Sequence, residues 1–185
     1  MASLAENRAS VPRICVWRDR ACVPLSAGAP TLSSAHSPWN GALLERLIHG
    51  PHTEDTHQHL SHFLVLHLGG PSQIAWRFAG KTGIKTVAPG EISVISRGTE
   101  DSTSFPQGSK RIVLNLEPSI FKRVFPEEDF GNDVELIDQW SVEDRQVEYI
   151  LRGLEADLEA GIPAGGLFGE SLSMPSQFMS SVDTA

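Results

Sequence analysis

The chain has 185 residues, 40% hydrophobic and 21% charged, with 15 Lys and Arg against 23 Asp and Glu and a formal net charge of −8. This size suits one compact domain, the apolar content argues against wholesale disorder, and the acidic balance leaves no phosphate-neutralising surface for direct nucleic-acid binding. No apolar run approaches the roughly 20 residues of a membrane-crossing helix, and the opening "MASLAENRASVPR" lacks the charged-then-apolar order of a secretion signal, so a cytoplasmic chain with no membrane contact is expected.

Residues 1–40 are rich in Ala, Ser and Pro with weak periodicity, and read as a poorly ordered lead-in or an irregular wrapping segment without an assigned role. Cys15 and Cys22 within it form a lone C-x6-C pair, expected as two free thiols in a reducing compartment. From Gly41 the pattern changes to short apolar runs: "ALLERLIH", "HFLVLHL", "SQIAWRF", "GIKTV", "EISVISR" and "KRIVLNL". Turn residues at Gly69-Gly70-Pro71, Gly80, Pro89-Gly90, Gly98 and Pro106 to Gly108 separate them, which predicts consecutive antiparallel strands over 41–117, closing into a small barrel or sandwich. Within "SQIAWRF", Trp76 shares a face with Ile74 and Phe78, either as core or as a platform for a ligand.

Beyond the strands the period becomes helical. Ile120, Phe121, Val124 and Phe125 predict a short helix that Pro126 ends. A longer one is predicted from about Val142 to Ala160, with Val147, Leu151, Leu154 and Leu158 as its apolar stripe, Ser141 as its cap, and Gly161 and Pro163 at its end. The stripe can pack on its own chain or on a second copy, and a homodimer through the helical region 118–170 is the expectation. Residues 171–185 read as a polar tail. Strands first and helices after make an α+β chain.

The stretch "THQHLSHFLVLHLGG" puts His57, His59, His62 and His67 within eleven positions. In one extended strand His57, His59 and His67 share a face and His62 takes the other. Two imidazoles at H-x-H spacing suit zinc, iron or manganese, and a bulge near Leu60-Ser61 would add His62 as a third ligand. Glu54 and Asp55 precede the pair as possible carboxylate ligands. The other readings are a histidine-lined mouth for an organic effector and solvated or satisfied histidines. A nucleophile elbow, a P-loop, a dinucleotide fingerprint and a C-x-x-C pair are all missing.

"GPHTEDTHQHLSHFLVLHLG" resembles the first motif of the cupin barrels, and "TVAPGEISVISRGTEDSTSF" the second, with its Pro-Gly turn at Pro89-Gly90 in place. In that second motif the family places a histidine after the glycine, whereas here Gly98 is followed by Thr99, Glu100 and Asp101. Taken with "IVLNLEPSIFKRVF" and "VEYILRGLEADLEAGIPAGGLFGESL", the order of pieces from Ser33 to Leu172 resembles the N-terminal regulatory domain of AraC-type transcription regulators. The resemblance implies a cupin-like antiparallel β-barrel followed by packed α-helices. It also implies that the barrel senses a small molecule or modulates dimerisation, and that a C-terminal pair of helix-turn-helix units binds DNA. Only 13 residues follow Leu172, with Pro175 among them and no basic recognition helix, so a sensor domain truncated before its reader is expected. The expected partner is an unknown small-molecule effector held by His57, His59, His62 and Trp76, with no cofactor, no metal and no enzymatic activity. A small metal-dependent cupin enzyme built on His57 and His59 is the alternative.

Overall fold

The computed structural model describes residues 11–78, 80–124 and 136–161. In chain order the elements are β1 (Cys15–Arg18), β2 (Ala21–Pro24), β3 (Leu32–Ser33), β4 (Ala42–His49), β5 (His52–His59), β6 (His62–His67) and β7 (Ser72–Phe78). They continue with β8 (Lys81–Val87), β9 (Glu91–Ile95), β10 (Glu100–Phe105), β11 (Ser109–Leu116), α1 (Pro118–Val124), β12 (Gln139–Glu143) and α2 (Arg145–Glu159). The strands form two antiparallel six-stranded sheets. A front sheet has the order β2-β1-β5-β10-β7-β8, and a middle sheet the order β12-β9-β6-β11-β4-β3. Among the described residues no ladder joins one sheet to the other, so the expected barrel is a sandwich of two separately hydrogen-bonded sheets.

The middle sheet is covered on both sides. Its inner face packs Leu47, Phe63, Val65, Ile95 and Val113 against Ile14, Val16 and Leu25 from the N-terminal segment. Its outer face packs Leu44, Leu64, Leu66, Ile112 and Leu114 against the helical residues Val147, Leu151, Leu154 and Leu158. Burial on two faces explains why β6 and β11 are near-continuous apolar runs rather than alternating ones. The apolar stripe of α2 is therefore covered within the chain.

Two expectations change, and a third feature is new. Residues 11–40 are not an unstructured lead-in: β1 and β2 form a hairpin that joins the front sheet through β5, and Val16 is fully buried between the sheets. Short strands with one inward residue each leave no period to read. Both thiols on that hairpin are free, and burial, together with Cys22 alongside, pushes the Cys15 thiol up to about 11.

The second change is the start of α2. Gln139–Glu143 pairs with β9 as an edge strand, and the helix begins only at Arg145. Asp144, not Ser141, is the cap, its Oδ1 accepting from the N–H groups of Gln146 at 3.0 Å and Val147 at 3.1 Å. Ser141 instead sits at φ 53° where the β12 register shifts between Gln139 and Val142. Gly161, at φ +81°, follows the helix as expected. Pro126, Pro163 and the 171–185 tail lie outside the described residues.

Third, the sheets are braced along one side by side chains that period alone does not single out. Trp140 on β12 reaches the front sheet and stacks on Trp76 at 5.9 Å between ring centroids, with 18° between planes. Gly83 on β8 makes room for this pair, since a Cβ there would lie 2.5 Å from the Trp76 ring. Lys85 closes the same edge by donating to the Ser141 carbonyl.

Candidate metal centre

β5 is a polar strand, "HTEDTHQH", lying between β1 and β10. Its burial follows a broken alternation: Glu54, His57 and His59 are buried, while Asp55 and Thr56 are both exposed. The break is a β-bulge. Asp101 faces His57 and Thr103 faces Glu54, so two residues on β10 span three on β5. The extra residue carries an even-numbered carboxylate, Glu54, onto the same face as the odd-numbered histidines. Leu60-Ser61, where a bulge was expected, joins β5 to β6, and the bulge lies five residues earlier, at Asp55-Thr56.

β10 supplies the third member. Asp101 is 3% exposed, and its Oδ2 lies 2.8 Å from His59 Nε2 while Oδ1 lies 3.6 Å from His57 Nε2. One potential ligand atom from each of His57, His59 and Asp101 falls within 4.8 Å of the others. Asp101 is one of the three residues, Thr99, Glu100 and Asp101, that follow Gly98 without a histidine among them.

The tautomer of His57 is set by the main chain. Its Nδ1 lies 2.7 Å from the Asp55 carbonyl oxygen at the bulge, so Nδ1 carries the proton and donates it. Nε2 is then a bare lone pair, buried and without a hydrogen-bond partner. Burial holds this imidazole below the usual histidine range, which keeps the lone pair free near neutral pH. A carbonyl fixing one ring nitrogen while the other points inward is the arrangement metal-ligating histidines use. His59 likewise has a buried Nδ1 without a partner, and its ring packs edge-on against Phe63 at 4.4 Å.

The three residues line an internal chamber of about 30 Å³ between the sheets, walled by Phe63, Ile95, Phe105 and Trp140. On the scale of roughly 10–15 Å³ per buried water, it holds about two. Glu54 and Arg111 form a buried ion pair in its wall, with the guanidinium 4.5 Å from the centre of the Phe105 ring. The Arg111 Nε has no partner. His67, expected by parity on the same face as His57 and His59, does line the chamber, but from β6 in the opposite sheet.

Two other expected residues lie elsewhere. His62 faces the helix side of the middle sheet, its ring 5.2 Å from Phe121, and its Nδ1 accepts from the Arg97 N–H at 3.1 Å. Burial and the nearby Arg97 push it down to about 4, marking a neutral histidine that ties β6 to the turn after β9. Trp76 braces the sheets and does not touch the chamber; Trp140 does. Asp101 is paired to His57 across strands by register, and Trp140 sits on a strand whose sequence continues into a helix.

Apart from a cavity of about 350 Å³ that meets the chamber only at Thr103, two larger cavities adjoin it. One, of about 330 Å³, shares His67 and Phe105 with it. The other, of about 440 Å³, shares Asp101 and also carries Glu100 and Asp138.

No family model matches the chain, and neither does any curated protein. Among solved structures it is similar to a cupin-2 domain protein of Shewanella frigidimarina, at 16% identity over 48% of this chain and 79% of that one, with a TM-score of 0.38. A cupin superfamily protein of Desulfitobacterium hafniense shares 13% identity over 57% of this chain and 98% of that one, also at 0.38. An oxalate decarboxylase variant of Bacillus subtilis shares 17% identity over 40% of this chain and 20% of that one, at 0.32. The chemistry of the centre rests on its own geometry.

Proposed function

We propose that this chain is a cupin-like protein that holds one divalent transition metal ion through His57, His59 and Asp101. The observation that carries this reading is the bare, buried Nε2 of His57, aimed at a carboxylate that already contacts a second histidine. Two imidazoles and one carboxylate suit iron, manganese or zinc, and three protein ligands leave positions open for water or substrate. Such an ion supplies Lewis-acid polarisation or an activated water.

The chain's own residues set the rest. The Asp55 carbonyl holds His57 in the tautomer that presents Nε2. Phe63, Ile95 and Trp140 exclude bulk water, which strengthens every charge interaction inside. Arg111, neutralised on one side by Glu54, keeps an unused Nε–H donor in the chamber wall. A chamber of about 30 Å³ admits only the end group of a substrate, not a whole organic effector.

The test is elemental analysis of the full chain purified without chelator. Near-stoichiometric metal that disappears in His57→Ala and in Asp101→Asn supports the reading. A metal-free wild type that also takes up no iron, manganese or zinc on dialysis refutes it.

The effector-sensing reading has one observation in its favour: the adjoining 330 Å³ cavity is of ligand size. In that reading the chain answers a small molecule without metal, and thermal stabilisation by an organic compound in chelator-treated protein would favour it.

A further inference from the structure

The cavities on either side of the chamber differ in charge. The one that shares Asp101 also carries Glu100 and Asp138, against Arg77. The one that shares His67 and Phe105 contains no carboxylate among its lining residues, which include His49, Gln107, Ser109 and Lys110. Two of its polar groups have no partner. The Ser109 hydroxyl is buried with no partner, and so is Nε2 of His67, a residue only 7% exposed. Gln107 accepts from the Gln73 N–H at 2.9 Å through Oε1, which leaves its amide N–H groups as donors. Behind the shared wall of Phe105 stands Arg111 with its unpartnered Nε. Buried donors without acceptors are costly in a folded chain unless something supplies the acceptor.

We propose that this 330 Å³ cavity binds a small organic carboxylate, its oxygens accepting from the Ser109 hydroxyl and from His67 in the tautomer that carries its proton on Nε2, with Lys110 supplying positive charge. The volume suits a small organic acid and is far larger than a lone water requires. Burial and the neighbouring Arg111 push His67 down to about 4, so it recognises the anion as a neutral donor near neutral pH. That the bound acid presents an end group to the chamber past Phe105 rests on the metal reading; its binding in the cavity does not.

The experiment uses the full chain freed of metal with chelator, so that no ion can recruit the anion. Trifluoroacetate is the probe, followed by the line width of its fluorine resonance. Broadening that succinate reverses and tetramethylammonium leaves unchanged is the expected result. Ser109→Ala should weaken binding about five-fold, the ratio that one ordinary hydrogen bond gives, and His67→Phe, which fills the passage and removes the donor, should abolish the broadening. Circular dichroism confirms that each variant is folded, and Ser109→Ala, which only deletes an oxygen, keeps the test intact if His67→Phe fails to fold. Equal broadening in wild type and Ser109→Ala, or equal displacement by tetramethylammonium, overturns the proposal. Metal content of untreated protein, measured in parallel, reports separately on the His57, His59 and Asp101 centre.

Discussion

The middle sheet and the front sheet share a strand count and a hand of pairing, yet they are built on different principles. In the middle sheet all six residues of β6 are buried, because one face meets the front sheet and the other meets α2. In the front sheet β5 and β10 bury one face only, and apart from Phe105 what they bury is polar: Glu54, His57 and His59 from one, Asp101 and Thr103 from the other. The first arrangement draws its stability from the transfer of apolar surface, which needs no exact partner. The second depends on each polar group finding a specific partner, which makes it costly to disturb and chemically useful. Stability and chemistry are thus divided between the two layers.

The sharpest way to break this division is at the ion pair in the chamber wall. Glu54→Ala leaves Arg111 buried without its carboxylate and should cost about 3–5 kcal/mol, read as a drop in urea midpoint. The double variant Glu54→Leu/Arg111→Met should be milder than either single change, since no charge is then stranded. Strict additivity in that cycle would contradict the buried pairing.

A comparable loss is expected in the other layer for a different reason. Leu114 is fully buried between β11 and α2, and Leu114→Ala should cost about 2–5 kcal/mol by transfer and cavity formation. Metal bound per folded molecule should not change. For the front sheet the converse holds: saturating divalent metal, at about 100 times its dissociation constant, should add about 2.7 kcal/mol to the wild type. Asp101→Asn should remove most of that gain, while its unfolding without metal stays close to wild type.

Acid sharpens the comparison further. His62 on the middle sheet is held down to about 4 against an ordinary 6.5, so folding disfavours its charged form. The stability this gives is complete above pH 6.5 and is lost as pH falls towards about 4. His62→Asn should flatten part of that decline in a urea-midpoint profile, and an unchanged slope would count against burial of the neutral ring. The smallest effect belongs to the solvent side of the front sheet, where Ile84 is 74% exposed. Ile84→Thr should shift stability by no more than about 0.5 kcal/mol.

The same division decided what could be read in advance. The runs "ALLERLIH", "HFLVLHL", "EISVISR" and "KRIVLNL" announce the middle sheet, because strands covered on two faces are rich in apolar residues. β5 and β10, "HTEDTHQH" and "EDSTSF", carry almost no apolar signal, since their inward side chains belong to the centre and their outward ones meet solvent. The H-x-H pair was legible from strand alternation alone. Asp101 stood out only together with Thr99 and Glu100 after Gly98, and its contact with His59, some 40 residues away in sequence, is a matter of cross-strand register that depends on how the sheet assembles. Parity also separates His62 from His57, His59 and His67; what it does not show is that His59 and His62 lie on successive strands, so that no bulge between them brings His62 round to the pair.

One detail of β5 reaches further. The group that selects the His57 tautomer is a peptide oxygen at the bulge, present whatever side chain occupies position 55. No ordinary point substitution removes it; only a change in chain length does. Deleting Thr56 would restore an even pleat with Glu54, His57 and His59 still facing inward, while returning that oxygen to the ladder. Drift in amino-acid identity around the strand can therefore leave the imidazole's preparation untouched, whereas the loss of a single codon would undo it.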